Sequence, residues 1–204
     1  MADRIRRPDG PSVGRFLGSA LSMGLPSPTN RSATRHRLAA IAQSEAALER
    51  AGDANMAGPA IERYLAVFRD AMNRHGDTTQ YSDLDTGYPW CCAFVYYCCL
   101  QAGFRFPPKP MAGARCTLAA VPSWREWATA NGFFHPAGST PPQLGDIALY
   151  NRVYNGKPLD HIGIVVGIVP VGVLSAEGNN ANRTGVFLRA FSVIEGYVRI
   201  PENA

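Results

Sequence analysis

The sequence predicts one α+β domain in which N-terminal helices, one of them buried, pack on an antiparallel sheet of five or six strands. Helical patterns fill the first half of the chain, and strand-like patterns follow one another from residue 146 onward. Helices followed by a run of strands are typical of α+β folds. The chain has 204 residues, of which 46% are hydrophobic, and this is enough for one sizeable core.

Four helices are predicted. The first two span residues 35–50 and 59–74, each with apolar residues spaced along one face. The third spans residues 91–102; it contains no charged residue and is apolar on nearly every side, which is typical of a helix buried all round. A short fourth helix spans residues 123–130.

One predicted strand carries a histidine beside two glycines. Alternation along the strand that begins at His161 places Ile162 and Ile164 on one face, and His161, Gly163 and Gly167 on the other. Glycines on a strand face indicate that something packs closely there. We expect helix 91–102 to pack on this face, so that its start lies near His161. The strands are predicted at residues 146–152, 161–169, 171–176, 186–191 and 196–200.

The net charge of +4 is concentrated near the N-terminus. Residues 1–37 hold seven arginines and two acids, and the rest of the chain is close to neutral. The abundance of Gly, Pro and Ser predicts a flexible basic arm at residues 1–34, ahead of one folded domain at 35–204. Nucleic-acid-binding domains usually carry their charge on a folded face, so no nucleic-acid partner is expected.

No segment predicts stable insertion into a membrane. No apolar run approaches the roughly 18 residues that a spanning helix needs. The apolar patch at residues 13–25 is interrupted by Arg15 and by glycines, which makes it a poor core for a signal peptide. We therefore expect synthesis in the cytoplasm without a cleavable signal peptide.

Four of the five cysteines lie at the two ends of the third helix, in the pattern C-C-x5-C-C. Cys91 and Cys98 are roughly 10.5 Å apart along a helix axis, because each residue adds 1.5 Å. This distance is too long for one zinc ion or one disulfide. Cys92, Cys98 and Cys99 are therefore interpreted as small core residues, whereas the state of Cys116, in a loop, stays open.

Cys91 differs because it begins the helix, directly after Pro-Trp. The unpaired N–H groups and the positive dipole end of a helix start stabilise a thiolate, which is the nucleophilic form of cysteine. Cys91 is therefore a candidate nucleophile. Cys92 lies in the same turn but points about 100° away, so only one of the two can face a given partner.

A thiolate nucleophile needs a base and a group that orients the base. His161 is the candidate base. The short turn near residue 170 pairs the next strand antiparallel, which places Glu177 and Asn179 near the level of His161. A carboxylate or an amide there would fix the tautomer of the imidazole. The alternative is that Glu177-Gly178-Asn179 forms a plain polar turn.

Four motifs, in their order along the chain, resemble the CHAP domain. They are P-W-C-C-A-F-V, L-G-D-I-A-L-Y, D-H-I-G-I-V-V-G and S-A-E-G-N-N. CHAP domains are cysteine, histidine-dependent amidohydrolases/peptidases, papain-like in fold and related to NlpC-type cell-wall hydrolases. The resemblance covers roughly residues 38–200. It implies that Cys91 is the nucleophile, that His161 is the base, and that Glu177 and Asn179 complete the site.

The resemblance further implies the substrate and the place of action. Family members mostly cleave peptidoglycan, so the expected partner is peptidoglycan or its peptide fragments, attacked at an amide through a thioester. The protein would reach the cell wall, the periplasm or the outside, either as a lysin or as an injected antibacterial effector with an immunity protein. The alternatives are a CHAP-like amidase on a non-wall substrate and a non-enzymatic binding module that keeps the fold.

No cofactor and no metal ligand is expected. Some CHAP domains bind calcium in a D-x-D loop just before the cysteine, and Asp83-Leu84-Asp85 stands at that place here. The later ligands of such a site are not evident in the sequence. A plain turn is therefore favoured over a calcium loop, although the motif leaves both open.

Overall fold

The computed structural model describes residues 33–112 and 117–201. Nearly all of the predicted arm at residues 1–34 lies outside these residues, so its flexibility stays a prediction. Cys116 also lies outside the described residues. Among the helices of the described ranges, none has the length and apolar character needed to cross a membrane.

The described part of the chain forms four α-helices and a six-stranded antiparallel sheet, which confirms the predicted α+β class. The helices are α1 (Ala33–Ala46), α2 (Glu62–Gly76), α3 (Cys91–Ala102) and α4 (Val121–Ala130). The strands are β1 (Phe134–Pro136), β2 (Ile147–Tyr150), β3 (His161–Val169), β4 (Gly172–Asn180), β5 (Arg183–Ala190) and β6 (Ile194–Val198). Their order in the sheet is β1-β6-β2-β3-β4-β5.

The two faces of the sheet bury different side chains. Ile162 and Ile164 of β3 join the main hydrophobic core with residues of all four helices. Tyr150 and Val165 belong to a smaller cluster on the other face. Because His161 is the antiparallel partner of Tyr150, it lies on this second face. His161 is therefore carried by the face opposite the helices, at the end of the sheet where β3 begins.

The expected packing of α3 on Gly163 and Gly167 is wrong. A Cβ on Gly163 would collide with Ser175 and lie 2.7 Å from Glu177 Cγ, so this glycine makes room for side chains of β4. A register shift between Val165 and Gly167 ends the alternation, and Gly167 instead lies against Leu174.

Gly178 of β4 is the glycine that receives α3. A Cβ at this position would lie 2.5 Å from Phe94 Cβ and 2.7 Å from Trp90 Cζ3, so only a hydrogen fits. This close approach brings the first turn of α3 to the end of the sheet, beside Glu177. The expectation that the helix start and His161 meet at one end of the sheet is thus confirmed, although through a different glycine.

The first helix ends earlier than the apolar spacing predicts, at Ala46 rather than residue 50. Glu49 adopts a left-handed backbone with φ 48°. The chain then pairs with the start of β5, where the Thr184 N–H donates to the Arg50 carbonyl and the Arg50 N–H donates to the Thr184 hydroxyl. Contacts with β5 therefore override the local helical pattern, and Leu48 is 52% exposed instead of lying on a buried stripe.

Candidate active site

Cys91 is the first residue of α3, with Trp90 at the N-cap. Trp90 supplies no side-chain hydrogen bond to the first turn. The N–H groups at this helix start therefore keep their capacity to stabilise negative charge. Cys91 is buried, with 7% of its surface exposed, and that remainder opens into a cleft of about 340 Å³.

His161 is held from the strand that pairs with its own. Its Nε2 lies 2.9 Å from Glu177 Oε2, and both side chains are almost completely buried. The other ring nitrogen, Nδ1, is buried and makes no hydrogen bond of ordinary geometry within the described residues. Because Glu177 is hydrogen-bonded to Nε2, Nδ1 is the ring nitrogen that can interact with Cys91. Hydrogen bonds between catalytic groups are often long in the absence of substrate and shorten when substrate binds.

The surroundings of Cys91 favour its thiolate. A hydrogen bond from the Cys92 side chain, together with the hydrogen bond and charge of His161, outweighs burial and lowers the pKa of Cys91 to about 5. The structure therefore couples His161 to Cys91 and makes Cys92 a hydrogen-bonding neighbour. This arrangement favours Cys91 over Cys92 as the nucleophile.

The surroundings of His161 favour its protonated form. Burial lowers the pKa of His161, but hydrogen bonds and charges from Cys91 and Glu177 outweigh it and raise that pKa to about 9. A thiolate with a pKa of about 5 and an imidazolium with a pKa of about 9 coexist as an ion pair between those two pH values. The pair is therefore charged at neutral pH, and the thiolate is the form of cysteine that can act as a nucleophile.

Arg189 of β5 is a site residue that the sequence analysis missed. Its Nε donates to Glu177 Oε1 at 2.8 Å, and its Nη2 donates to Glu177 Oε2. Burial raises the pKa of Glu177, whereas the hydrogen bonds and charges of Arg189 and His161 lower it below its ordinary value. A buried carboxylate needs a positively charged partner. Burial of Glu177 at the end of the predicted strand was therefore the signal in the sequence that a cation lies beside it.

Asn179 does not contact His161 through a hydrogen bond. Its backbone is left-handed, with φ 59°, and the pairing of β4 with β5 shifts register between Glu177 and Asn180. The strand alternation that carries Glu177 toward His161 is broken at this point. The Asn179 side chain is buried, yet within the described chain neither its Oδ1 nor its Nδ2 has a hydrogen-bond partner.

The cleft beside Cys91 has mostly apolar and aromatic walls, including Tyr81, Tyr88 and Tyr154. The ring of Tyr154 lies nearly parallel to that of His161, with a centroid distance of 6.0 Å, and covers the imidazole. Within the described chain, Asp160 is the one charged residue in the lining. Burial raises the pKa of Asp160, but hydrogen bonds from backbone N–H groups of the loop at residues 153–156 lower it by more. The net effect is a pKa below the ordinary value, so Asp160 is ionised.

The other described cysteines are core residues, as predicted. Cys98 and Cys99 are fully buried, and burial raises the pKa of both thiols. None of the four cysteines in the described residues forms a disulfide. No cluster of three or more potential metal ligands from His, Cys, Asp and Glu occurs in the described ranges.

The loop at Asp83-Leu84-Asp85 does not fit calcium. The Arg69 guanidinium fills it: Nη1 donates to the carbonyls of Tyr81 at 3.1 Å, Asp83 at 3.2 Å and Thr86 at 2.9 Å. Calcium would need such oxygens for itself, at 2.3–2.6 Å. The Asp83 carboxylate accepts hydrogen bonds from the Asp85 N–H and the Thr86 hydroxyl. A side-chain cation therefore organises the segment that leads to Cys91.

Replacing Arg69 with methionine is expected to lower the free energy of unfolding by about 3 kcal/mol, because Glu62 and the loop carbonyls lose a buried partner. Urea unfolding measures this loss. The control is Arg74→Met on the same helix, whose pair with Asp70 is exposed and should change stability by less than about 0.5 kcal/mol. Unfolding of the wild type should be the same in EDTA and in calcium; stabilisation by calcium would contradict this account of the loop.

A comparison with known protein families finds a match for the segment that carries most of this geometry. The family model of the CHAP domain matches residues 83–179, which include Cys91, His161, Glu177 and Asn179. No curated protein and no solved structure matches the chain. Arg189 lies beyond the matched segment.

Proposed function

We propose that the protein is a peptidoglycan hydrolase, because the family model of the CHAP domain matches residues 83–179 and this family consists of amidases and peptidases. It cleaves an amide bond, either between sugar and peptide or within the peptide. The observation that carries the proposal is the connected set Cys91, His161 and Glu177, placed beside an open cleft.

The first half of the proposed reaction forms a thioester. Cys91 Sγ, as the thiolate, attacks the carbonyl carbon of the scissile amide. Negative charge then develops on the carbonyl oxygen, and the N–H groups at the start of α3 stabilise it. The imidazolium of His161 donates its proton to the nitrogen, the C–N bond breaks, and the amine leaves.

The second half hydrolyses the thioester. His161, now neutral, takes a proton from a water molecule, which attacks the acyl carbon. The carboxylic acid leaves, and Cys91 Sγ returns as the thiolate while His161 keeps the proton. Glu177 holds the ring by accepting from Nε2, so Nδ1 carries both proton transfers.

Asn179 is included in the proposed site because its buried amide has no partner among the described residues. An unsatisfied buried polar group costs about 1–3 kcal/mol. Water or substrate in the site would remove this cost by hydrogen bonding to the amide. Asn179 is not among the residues that line the cleft beside Cys91, so its place in the proposed site rests on the motif S-A-E-G-N-N and on this unsatisfied amide.

Peptidoglycan is proposed as the substrate on the strength of the four motifs. The basic arm adds an attraction to anionic surfaces such as the cell wall or a membrane. Delivery occurs to the wall, the periplasm or the outside, as a lysin or as an injected antibacterial effector. In the latter case the producing cell requires an immunity protein.

The test is incubation of the purified protein with peptidoglycan sacculi, followed by mass spectrometry of the released fragments. Fragment masses identify the bond. We expect release to rise as pH increases through about 5, where Cys91 loses its proton, and to fall as pH increases through about 9, where His161 loses its proton. The resulting profile is bell-shaped.

Protein blocked with iodoacetamide is the control and should release nothing. Absence of fragments from the untreated protein at every pH between these limits would contradict peptidoglycan hydrolysis. Hydrolysis of small N-acyl amides without release from sacculi would instead favour an amidase on a non-wall substrate.

A further inference from the structure

Arg189 reaches along the sheet to the Glu177 carboxylate. In the register of β4 with β5, Arg189 pairs with Val173, whereas Glu177 pairs with Gly185, four residues away along each strand. The Arg189 guanidinium lies 5.5 Å from the ring centroid of Phe187 and 5.7 Å from that of Tyr150. These two rings support the side chain on its way to Glu177.

The ion pair between Arg189 and Glu177 is bidentate and buried. Both guanidinium nitrogens in the contact bond to a carboxylate oxygen, and Glu177 Oε2 also accepts from His161. The side chain of Glu177 is 0% exposed and that of Arg189 is 15% exposed. One carboxylate is thus shared by two cations, so neither of them receives its full charge.

We propose that Arg189 is a positioning residue that holds the Glu177 carboxylate directed at His161 while weakening the hold of Glu177 on the imidazolium proton. This inference rests on the proposed cysteine chemistry. With Glu177 alone, the buried carboxylate would retain the proton on His161. The reaction needs that proton to leave twice, to the amine and then again after water is activated.

The charged and titratable groups around His161 come from several elements. Cys91 of α3 and Glu177 of β4 favour the imidazolium. Arg189 of β5 opposes it through the shared carboxylate. The Tyr150 and Tyr154 rings stack on the imidazole, and the Asp160 carboxylate lies next in sequence and interacts with Arg189. Arg189 is the cation in this set, so its removal shifts the balance toward the protonated ring.

The test is NMR titration of isotope-labelled histidine side chains in the full chain, with His161 assigned through its substitution. In the wild type His161 should titrate near pH 9. In Arg189→Met the midpoint should rise by about one pH unit, since a nearby positive charge is lost. In the thioester intermediate a larger share of His161 would then be protonated and unable to take a proton from water, so the release of fragments from sacculi at neutral pH should fall by up to about tenfold.

A second arginine, directly after β6, gives a matched control. Arg199 donates to Asp146 through Nε and Nη2, each at 2.8 Å, and its side chain is 17% exposed while that of Asp146 is 0% exposed. Arg199→Met therefore removes an equivalent buried pair away from His161 and should leave the midpoint unchanged. Arg189→Lys retains the charge and should keep the midpoint within about 0.3 unit of the wild type.

The outcomes separate this inference from the proposed function. An unchanged or lowered midpoint in Arg189→Met, or an equal rise in Arg199→Met, overturns the role of Arg189 while the cysteine chemistry stands. If Arg189→Met does not fold, Arg189→Gln carries the same loss of charge and must show the same rise. A wild-type midpoint near the ordinary value of 6.5 would overturn the ion pair itself, and the proposed mechanism with it.

Discussion

Replacing Cys91 with alanine is expected to lower amide hydrolysis by about 10⁴-fold or more, because the variant has no atom that can form the thioester. Loss of a nucleophile in enzymes of this kind leaves only the contribution of substrate binding and of oxyanion stabilisation. The measurement is the rate at which fragments are released from sacculi, at equal concentrations of folded protein.

Cys98→Ala is the matched control for the nucleophile. It makes the same substitution on the same helix, at a fully buried position away from the cleft. It should reduce stability but leave the turnover of the folded protein near that of the wild type. Hydrolysis that survives Cys91→Ala, or that is lost in Cys98→Ala while the protein stays folded, would contradict the assignment of Cys91.

Replacing His161 with glutamine is expected to lower hydrolysis by about 10²–10⁴-fold, because the leaving amine receives no proton and water loses its base. The thiol should respond as well. The pKa of Cys91 should rise above about 5 when the imidazolium is removed, while the hydrogen bond from Cys92 remains. Alkylation of Cys91 by iodoacetamide at about pH 6 should therefore slow by about 10–100-fold.

The alkylation is followed cysteine by cysteine with mass spectrometry, so that Cys91 and Cys92 are distinguished. His75→Gln, at an exposed position on α2, should leave both the alkylation and the hydrolysis unchanged. If Cys91 keeps its wild-type reactivity in His161→Gln, the two groups are not coupled. Faster labelling of Cys92 than of Cys91 in the wild type would make Cys92 the nucleophile.

Much of the fold could be predicted where the local pattern and the tertiary structure agree. Helix α3 begins at Cys91 and ends at Ala102, as its uncharged sequence predicts, because it is buried on all sides. Strand β3 runs from His161 to Val169, also as predicted. Strand β1 was missed because it has three residues and is defined by its pairing with β6, not by its own sequence.

The candidate site could be predicted only in part, for reasons of register. The short turn between β3 and β4 places Glu177 near the level of His161, but the register shift between Val165 and Gly167 is what brings both side chains to one face, and alternation along the sequence does not reveal it. Arg189 could not be placed because its reach to Glu177 depends on how β5 pairs with β4 and on a shift near Asn180. Asn179 departs from the expected face because its left-handed backbone ends the alternation.

The close contact of Gly178 with Trp90 and Phe94 joins the two layers of the domain beside the site. Cys91 belongs to the helical layer, whereas His161 and Glu177 belong to the sheet. Any opening of one layer from the other would separate thiol from imidazole before either layer lost its own hydrogen bonds. Gly178 takes no part in the chemistry. Because its contact with α3 joins the layers, the nucleophilicity of Cys91 depends on cooperative docking of the two layers, and partly unfolded chains would not hydrolyse amides.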